Sequence, residues 1–186
     1  HSISASTTVS EGTTLYYSTD ESNWSTTAPT WTNVTAAQTV YVKAENSNYE
    51  TAYASATVTI TPKAVNVTAN PVTKVYDGTA ATIPAENAAI VTGLLEGDTV
   101  SYTVTFAAET DLINVQTATA DAVVASGAEL QGNYSVTYHN NTLTITAASA
   151  ENLGLSATSY NKPYDAHEHS ISASTTVSEG TTLYYS

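Results

Sequence analysis

The residues best suited to chemistry are two of the chain's rare lysines, each of which stands close to a carboxylate. The chain has four Lys and no Arg. Lys74 precedes Tyr76-Asp77-Gly78, and Lys162 precedes Tyr164-Asp165 at the matching place of a second segment. Burial lowers the pKa of a Lys and makes its amine a nucleophile, which could join an Asn or Asp side chain in an isopeptide bond. A plain salt bridge to Asp77 or Asp165 is the simpler alternative, because no partner constellation is visible.

The two aspartates are also candidates for acid or base catalysis. A catalytic carboxylate needs a second acid, base or nucleophile in a shared pocket, and the sequence places none beside Asp77 or Asp165. A turn explains them more simply, with the Asp side chain accepting backbone N–H groups and Gly78 adopting a positive φ. We therefore expect no catalytic residue and no enzymatic activity.

Potential metal ligands are sparse. His167-Glu168-His169 places two imidazoles on one face of a strand, but a third and a fourth ligand are not apparent. Acidic pairs could offer oxygens to Ca²⁺, although no calcium-binding loop motif accompanies them. These pairs are Asp20/Glu21, Glu96/Asp98 and Glu109/Asp111. We expect solvated surface charge at these positions, and no cofactor or metal.

Aromatic side chains suggest a different kind of site. Trp24 and Trp31, together with Tyr16, Tyr17 and Tyr41, could form a platform on which sugar rings stack. Because aromatic side chains bury large apolar areas, packing in the core or across strands is the competing interpretation. Trp24 and Trp31 are therefore speculative glycan contacts.

Composition excludes several functional classes. The net charge is −13, from 4 basic and 17 acidic residues, so no patch can neutralise phosphates and nucleic acid is not an expected partner. The chain has no Cys, which excludes disulfides, thiolate metal sites and a cysteine nucleophile. It has no apolar run of about 18 residues, so we expect no membrane insertion in this segment.

The elements that must position these residues are β-strands. The chain contains 35 Thr, 20 Ser and 13 Tyr. Apolar residues alternate with Thr or Ser over 56–61 and 98–106, and more briefly at Val40/Val42, Val65/Val67 and Leu143/Ile145. A period of two puts one face on a core and the other in water. With turn signals every 8–12 residues or so, the pattern predicts an all-β fold: two small tandem β-sandwich (Ig-like) modules in an elongated array, with a β-grasp-like module as the alternative.

The chain repeats itself. Residues 1–18 recur letter for letter as 169–186, so the period is 168 residues, from His1 to His169. Such repetition marks a tandem array, and we expect the chain to be part of a longer protein. Recurring motifs divide the period into two modules. Module A has its body in 1–63 and its opening segment in 148–168; module B spans 64–147; and 148–186 is the opening part of the next module A.

Module B resembles the MBG/YDG family of repeat modules. The resemblance rests on Lys74 to Thr79 (Lys-Val-Tyr-Asp-Gly-Thr), on Gly93 to Val100, on Gly132-Asn133-Tyr134 and on a closing Thr-Leu-Thr-Ile strand. Module A resembles the family more loosely, through Lys162 to His169. The resemblance implies structural roles for the motif residues Lys74, Tyr76, Asp77, Gly78, Gly97, Asp98, Asn133, Tyr134, Lys162, Tyr164 and Asp165. It implies no catalytic or ligand site.

Modules of this family occur in tandem in large bacterial surface adhesins, so the resemblance implies extracellular display on a bacterial surface. We expect a structural repeat of an adhesin stalk or fibre that projects a distal binding region, with neighbouring copies of the repeat as partners. One alternative is a weak, multivalent repeat that binds host mucin or glycans. Another is a filament subunit, in which residues 148–168 of one chain complete the module A body of the next.

Overall fold

The computed structural model describes the whole chain, residues 1–186, and its regular structure is almost entirely β-strand. The all-β class predicted from the alternating sequence is confirmed. The one helical element is a 3₁₀ turn, Ala150–Leu153, and no helix has the length and hydrophobicity needed to cross a membrane. The strands are β1 (Thr13–Ser18), β2 (Thr35–Asn46), β3 (Tyr49–Ile60), β4 (Lys63–Ala69), β5 (Val72–Val75), β6 (Ala89–Thr92), β7 (Thr103–Phe106), β8 (Gln116–Ser126), β9 (Leu130–Gln131), β10 (Tyr134–His139), β11 (Asn141–Thr146), β12 (Ser156–Thr158) and β13 (Ser172–Ser174).

The chain divides into two compact units. The first comprises residues 1–68, 89–103 and 125–139, and the second comprises 69–88, 104–124 and 140–186. A three-stranded sheet of order β1-β2-β3 and a four-stranded sheet of order β6-β4-β10-β9 lie in the first unit. The second unit holds most of the sheet β5-β11-β8-β7 and the strand pair β12-β13.

In the first unit, the predicted alternation fixes which side chains are buried. Val40 and Val42 of β2 lie in the core, as do Val65 and Val67 of β4, while their neighbours in sequence are more exposed. β2 and β3 form a long antiparallel hairpin that turns at the exposed residues Ser47 and Asn48. β4 lies between β6 and β10 and runs parallel to β10, with Val65 opposite Val136. Central placement explains why the valines of β4 are fully buried.

In the second unit, β11 is the strand with the best-buried side chains. Leu143 and Ile145 have no exposed surface, as their alternation with Thr predicts. β11 runs parallel to β5, with Ile145 opposite Lys74, and antiparallel to β8. Short antiparallel strands β12 and β13 pair Ala157 with Ala173.

One predicted strand is shorter than the sequence suggests. Residues 98–106 alternate as a strand does, but regular pairing begins only at Thr103. The side chain of Gln131 occupies the backbone groups that a neighbouring strand would need: the Ser101 N–H donates to its Oε1 at 2.7 Å, and its Nε2 donates to the Ser101 carbonyl at 2.8 Å. The alternation still sorts the side chains, with Val100 and Tyr102 half-buried and Ser101 exposed.

Candidate functional site

The Tyr-Asp-Gly motif of module B forms a turn that Lys74 closes. β5 ends just before the motif, and pairing with β11 fixes the place of Lys74. The Lys74 ammonium lies 2.8 Å from Asp77 Oδ1 and donates to Thr79 Oγ1 at 2.6 Å and to the Thr79 carbonyl at 3.0 Å. Asp77 Oδ1 also accepts from the Thr79 N–H at 2.8 Å and from the Thr79 hydroxyl, while Gly78 has a φ of +78°.

The electrostatics of this turn are those of an ion pair that stabilises the backbone. Hydrogen bonds from the Lys74 side chain, then from the side chain and backbone of Thr79, lower the pKa of Asp77 from 3.8 to about 2. A carboxylate that stays ionised at neutral pH and already accepts several hydrogen bonds is a poor general acid. Of the two interpretations of Lys74, an isopeptide bond and a salt bridge, the structure contains the salt bridge, formed with Asp77.

The matching residues of module A do not form this turn. Lys162 and Asp165 make no ion pair; Asp165 Oδ1 instead lies 2.6 Å from His169 Nε2, and the His169 ring stacks on Tyr160 with centroids 4.1 Å apart. The salt-bridge alternative is therefore wrong for Lys162. The physical reason is that Lys74 lies on a strand paired with β11, whereas Lys162 lies on no strand. Tyr164, beside them, is almost wholly exposed.

A second motif cluster ties together distant parts of module B. The phenol of Tyr134, a buried residue at the start of β10, donates to Asp98 Oδ2 and accepts from the Leu95 N–H at 3.3 Å. Its hydrogen bond to Asp98 raises the pKa of Tyr134. Gly97 adopts a φ of +85°, which lets the chain turn between Leu95 and Asp98. The loop from Leu95 to Asp98 is thereby fastened to the start of β10.

Asn133 fastens module B to the body of module A. Its side-chain Oδ1 accepts from the Val34 N–H at 2.8 Å, its Nδ2 donates to Asn33 Oδ1 at 3.0 Å, and its carbonyl accepts from the Lys63 N–H at 2.9 Å. All four residues belong to the first compact unit. We call this set of contacts the Asn133 clamp. The sequence motif singled out Asn133, but it gave no signal for Asn33 and Val34.

One carboxylate of each acidic pair accepts hydrogen bonds from the protein's own donors, as Asp98 does from Tyr134. Asp20 accepts from the Ser22 and Asn23 N–H groups at 2.9 and 2.8 Å, and Asp111 accepts from the Ile113 and Asn114 N–H groups at 2.9 Å each. These bonds, with the Asn side chain of each loop, lower the pKa of both carboxyls. Both loops read Asp-x-x-Asn, a shared sequence in which the Asp accepts from the backbone of its own loop.

No potential metal site is assembled anywhere in the chain. No three His, Asp or Glu side chains come together in a geometry that could hold an ion. His169, one of the two imidazoles considered for a metal, is instead engaged by Asp165 and Tyr160.

Of the aromatic residues of module A, Trp24 and Tyr16 both lie against Lys43, whereas Trp31 makes no ring contact with them. Trp24 packs edge-on against Tyr53, with centroids 6.4 Å apart, and Lys43 Nζ lies 5.1 Å from the Trp24 centroid and 4.8 Å from the Tyr16 centroid. Trp31 instead exchanges backbone hydrogen bonds with His1. Lys43 thus lies over one face of each of the Trp24 and Tyr16 rings, a face on which a sugar would otherwise be able to stack.

Comparison with known proteins gives one finding. Residues 61–144 match the family model of the YDG domain, somewhat less than half of the chain. No curated protein and no solved structure matches the chain. The matched range contains both motif clusters of module B, the Lys74–Asp77 turn and the Tyr134–Asp98 contact. Residues 61–144 are therefore similar to the YDG domain, a relative of MBG-type modules.

Proposed function

We propose that this chain is a structural repeat from the stalk or fibre of a bacterial surface adhesin, where it spaces and projects a distal binding region outside the cell. The observation that carries the proposal is the Asn133 clamp, which holds consecutive modules to each other through Val34 and Asn33. A stalk must resist bending, and contacts across a module junction provide that resistance.

The link between the modules supports the same role. β3 ends at Ile60 and β4 begins at Lys63, so only Thr61 and Pro62 separate the two strands. Pro62 fixes its own φ, and two residues leave little freedom for one module to swing against the other. The finer fold that goes with this proposal is a pair of tandem Ig-like β-sandwich modules in an elongated array.

Charge and surface chemistry support an extended, solvated role. The net charge of −13 makes neighbouring stalks repel one another, which keeps dense surface layers soluble. The motif turns are filled by internal hydrogen bonds, and Lys43 covers Trp24 and Tyr16, so these residues contribute to packing instead of presenting a free ligand site.

The stiffness of the junction can be measured directly. Spin labels at the exposed Thr39 and Thr137, one on each module, give a distribution of distances by pulsed electron resonance. Asn133→Ala should broaden that distribution, because it removes both side-chain bonds of the clamp. Asn48→Ala is the matched control, since Asn48-Tyr49 repeats Asn133-Tyr134 but its side chain makes no hydrogen bond. Equal widths in the wild type and in Asn133→Ala would contradict a stiffening role of the clamp.

A binding test separates the stalk from the glycan alternative. The purified chain is applied to mucin-coated surfaces and to glycan arrays. A spacer gives no saturable binding. Saturable binding that is lost in Trp24→Ala and kept in Trp31→Ala, or the reverse, would instead assign a glycan site to that residue.

A further inference from the structure

The strands by which the chain enters and leaves module B are both central strands of their sheets. The chain enters from Thr61-Pro62 through β4, which lies between β6 and β10. It leaves through β11, just before Ala147, and β11 lies between β5 and β8. Tension along the chain therefore acts first on strands that have a hydrogen-bonded neighbour on both sides, and not on edge strands.

Each of these two strands has a parallel neighbour. In the first compact unit β4 runs parallel to β10, with Lys63 opposite Tyr134. In the second compact unit β11 runs parallel to β5, with Val72 opposite Leu143. In both pairs a residue faces the one 71 positions later in the chain, over six residue pairs in the first unit and four in the second. The register is unbroken within each pair of strands.

The direction of the strands decides how such a pair breaks under tension. In each parallel pair, tension along the chain reaches the first strand at its N-terminal end and the second strand at its C-terminal end. The two strands are then pulled in opposite directions along their own axes, so the evenly spaced hydrogen bonds between them are loaded together, in shear. In an antiparallel hairpin pulled at its two free ends, the bonds are instead loaded one after another.

Side-chain burial opposes the same movement. Val65 and Val67 of β4 have no exposed surface, and neither do Leu143 and Ile145 of β11. A shift by one residue along a strand exchanges its two faces, and would bring polar neighbours such as Thr144 to the core. Sliding either strand therefore costs apolar burial as well as hydrogen bonds.

The outermost hydrogen bonds of the two pairs lie where tension enters and leaves the module. At the entry, the Lys63 N–H donates to the Asn133 carbonyl at 2.9 Å. At the exit, the Thr146 carbonyl accepts from the Tyr76 N–H at 2.8 Å. These two bonds carry the largest share of the load, because each lies next to a point of pulling.

A motif cluster stands beside each of these outer bonds. Directly after Tyr76, the ion pair between Lys74 and Asp77 closes the turn back onto β5. At the other end, the hydroxyl of Tyr134 donates to Asp98 and fixes the first residue of β10. Both clusters hold the residues from which a parallel pair would begin to fray.

We propose that module B is a force-bearing element, in which the parallel pairs β4–β10 and β5–β11 resist tension in shear and the two motif clusters keep their outer ends closed. The inference rests on the stalk proposal for the source of the tension, since a stalk is pulled between its anchor and whatever its distal region holds. The resistance itself follows from the order and direction of the strands.

Pulling the same fold in two directions tests the proposal. The chain has no Cys, so introduced cysteines attach the handles for single-molecule force spectroscopy at chosen points. In the full chain with Thr61→Cys and Ala147→Cys, both exposed positions, tension loads the two parallel pairs in shear. In the full chain with Tyr76→Cys and Ala147→Cys, the handles lie at the same end of β5 and β11, so the bonds open singly.

The first protein should unfold at a several-fold higher force than the second at the same loading rate. Forced unfolding depends on the barrier along the direction of pulling, so two proteins with one fold and one stability are able to differ in this way. Circular dichroism and urea unfolding establish that fold and stability are shared. Equal forces in the two geometries, or a lower force in the first, overturn the proposal.

Variants pulled in the shear geometry test the motif cluster at the exit. Tyr76→Pro removes the N–H that donates to Thr146, whereas Tyr76→Ala keeps it, so only the first should lose that bond's share of the unfolding force. Lys74→Met should lower the force, and Thr73→Met, at an exposed neighbour on the same strand, should not. Equal forces within both pairs of variants overturn the role given to the cluster. None of these forces alters the junction width that tests the stalk role.

Discussion

The Oδ1 of Asn133 accepts a hydrogen bond from the backbone N–H of Val34 at 2.8 Å, although the two residues are 99 positions apart in the chain. Val34 lies just before β2, and Asn133 lies just before β10. A side chain of module B therefore holds the backbone of module A. The remaining amide hydrogens of Asn133 face Asn33, which completes the contact.

This contact should stabilise the chain measurably. Asn133→Ala leaves the Val34 N–H without its partner at a solvent-exposed place, which costs about 1 kcal/mol. Urea unfolding followed by circular dichroism measures the loss. The Asn48→Ala variant should unfold like the wild type. A similar loss of unfolding free energy in both variants would mean that the hydrogen bonds of the clamp do not stabilise the chain.

The hydroxyl of Tyr134 should contribute to the thermal stability of the chain in addition to its buried ring. Tyr134→Phe keeps the buried ring but removes the hydroxyl that joins Asp98 to the Leu95 N–H, so we expect Tm to fall by about 2–4 °C. Tyr49 is the matched control, because it also follows an Asn at the start of a strand but is 62% exposed. Tyr49→Phe should leave Tm unchanged in differential scanning calorimetry.

Much of the fold follows from the local sequence, while the junction does not. Alternation with Thr predicts that Val65, Val67, Leu143 and Ile145 are buried, and they are. Strand faces are local properties, since successive side chains point to opposite sides. The shortened strand before Thr103 and the Asn133 clamp depend on side-chain amides from residues 30 or more positions away. No periodicity in the sequence carries that information.

The two copies of the lysine motif also show that local sequence alone does not determine which side chains meet. Lys74 and Lys162 have matching neighbours in sequence, but only Lys74 lies on a paired strand, and only Lys74 reaches its aspartate. A motif predicts which groups are able to meet. The neighbouring strand decides whether they do.

The ion pair between Lys74 and Asp77 should make the stability of the chain depend on pH. The pKa of Asp77 is lowered to about 2 in the folded chain, from 3.8, so the unfolded chain binds the proton more readily. The contribution of Asp77 to the free energy of unfolding is fully present above about pH 5 and is lost as the pH falls towards 2. Asp77→Asn should reduce the decline in the free energy of unfolding over that range, measured by urea titrations at each pH. Glu86→Gln, at an exposed carboxylate that accepts no hydrogen bond, should leave the decline unchanged.

Gly93 gives the sharpest test of backbone packing in the β6-β4-β10 sheet. A Cβ at this position would lie 2.5 Å from the Ala64 carbonyl oxygen, and the residue has a φ of +96°. Gly93→Ala therefore forces apart β6 and β4, in addition to adopting a conformation that L-residues avoid, at a cost of about 2–4 kcal/mol.

Gly97 separates these two effects, because its φ is +85° but no atom lies within 4 Å of an added Cβ. Gly97→Ala should cost only about 1 kcal/mol, the conformational part alone. Urea unfolding of both variants gives the difference. Equal losses would mean that the approach of Gly93 to Ala64 relaxes freely, and that β4 is not held as tightly between its neighbours as its buried valines indicate.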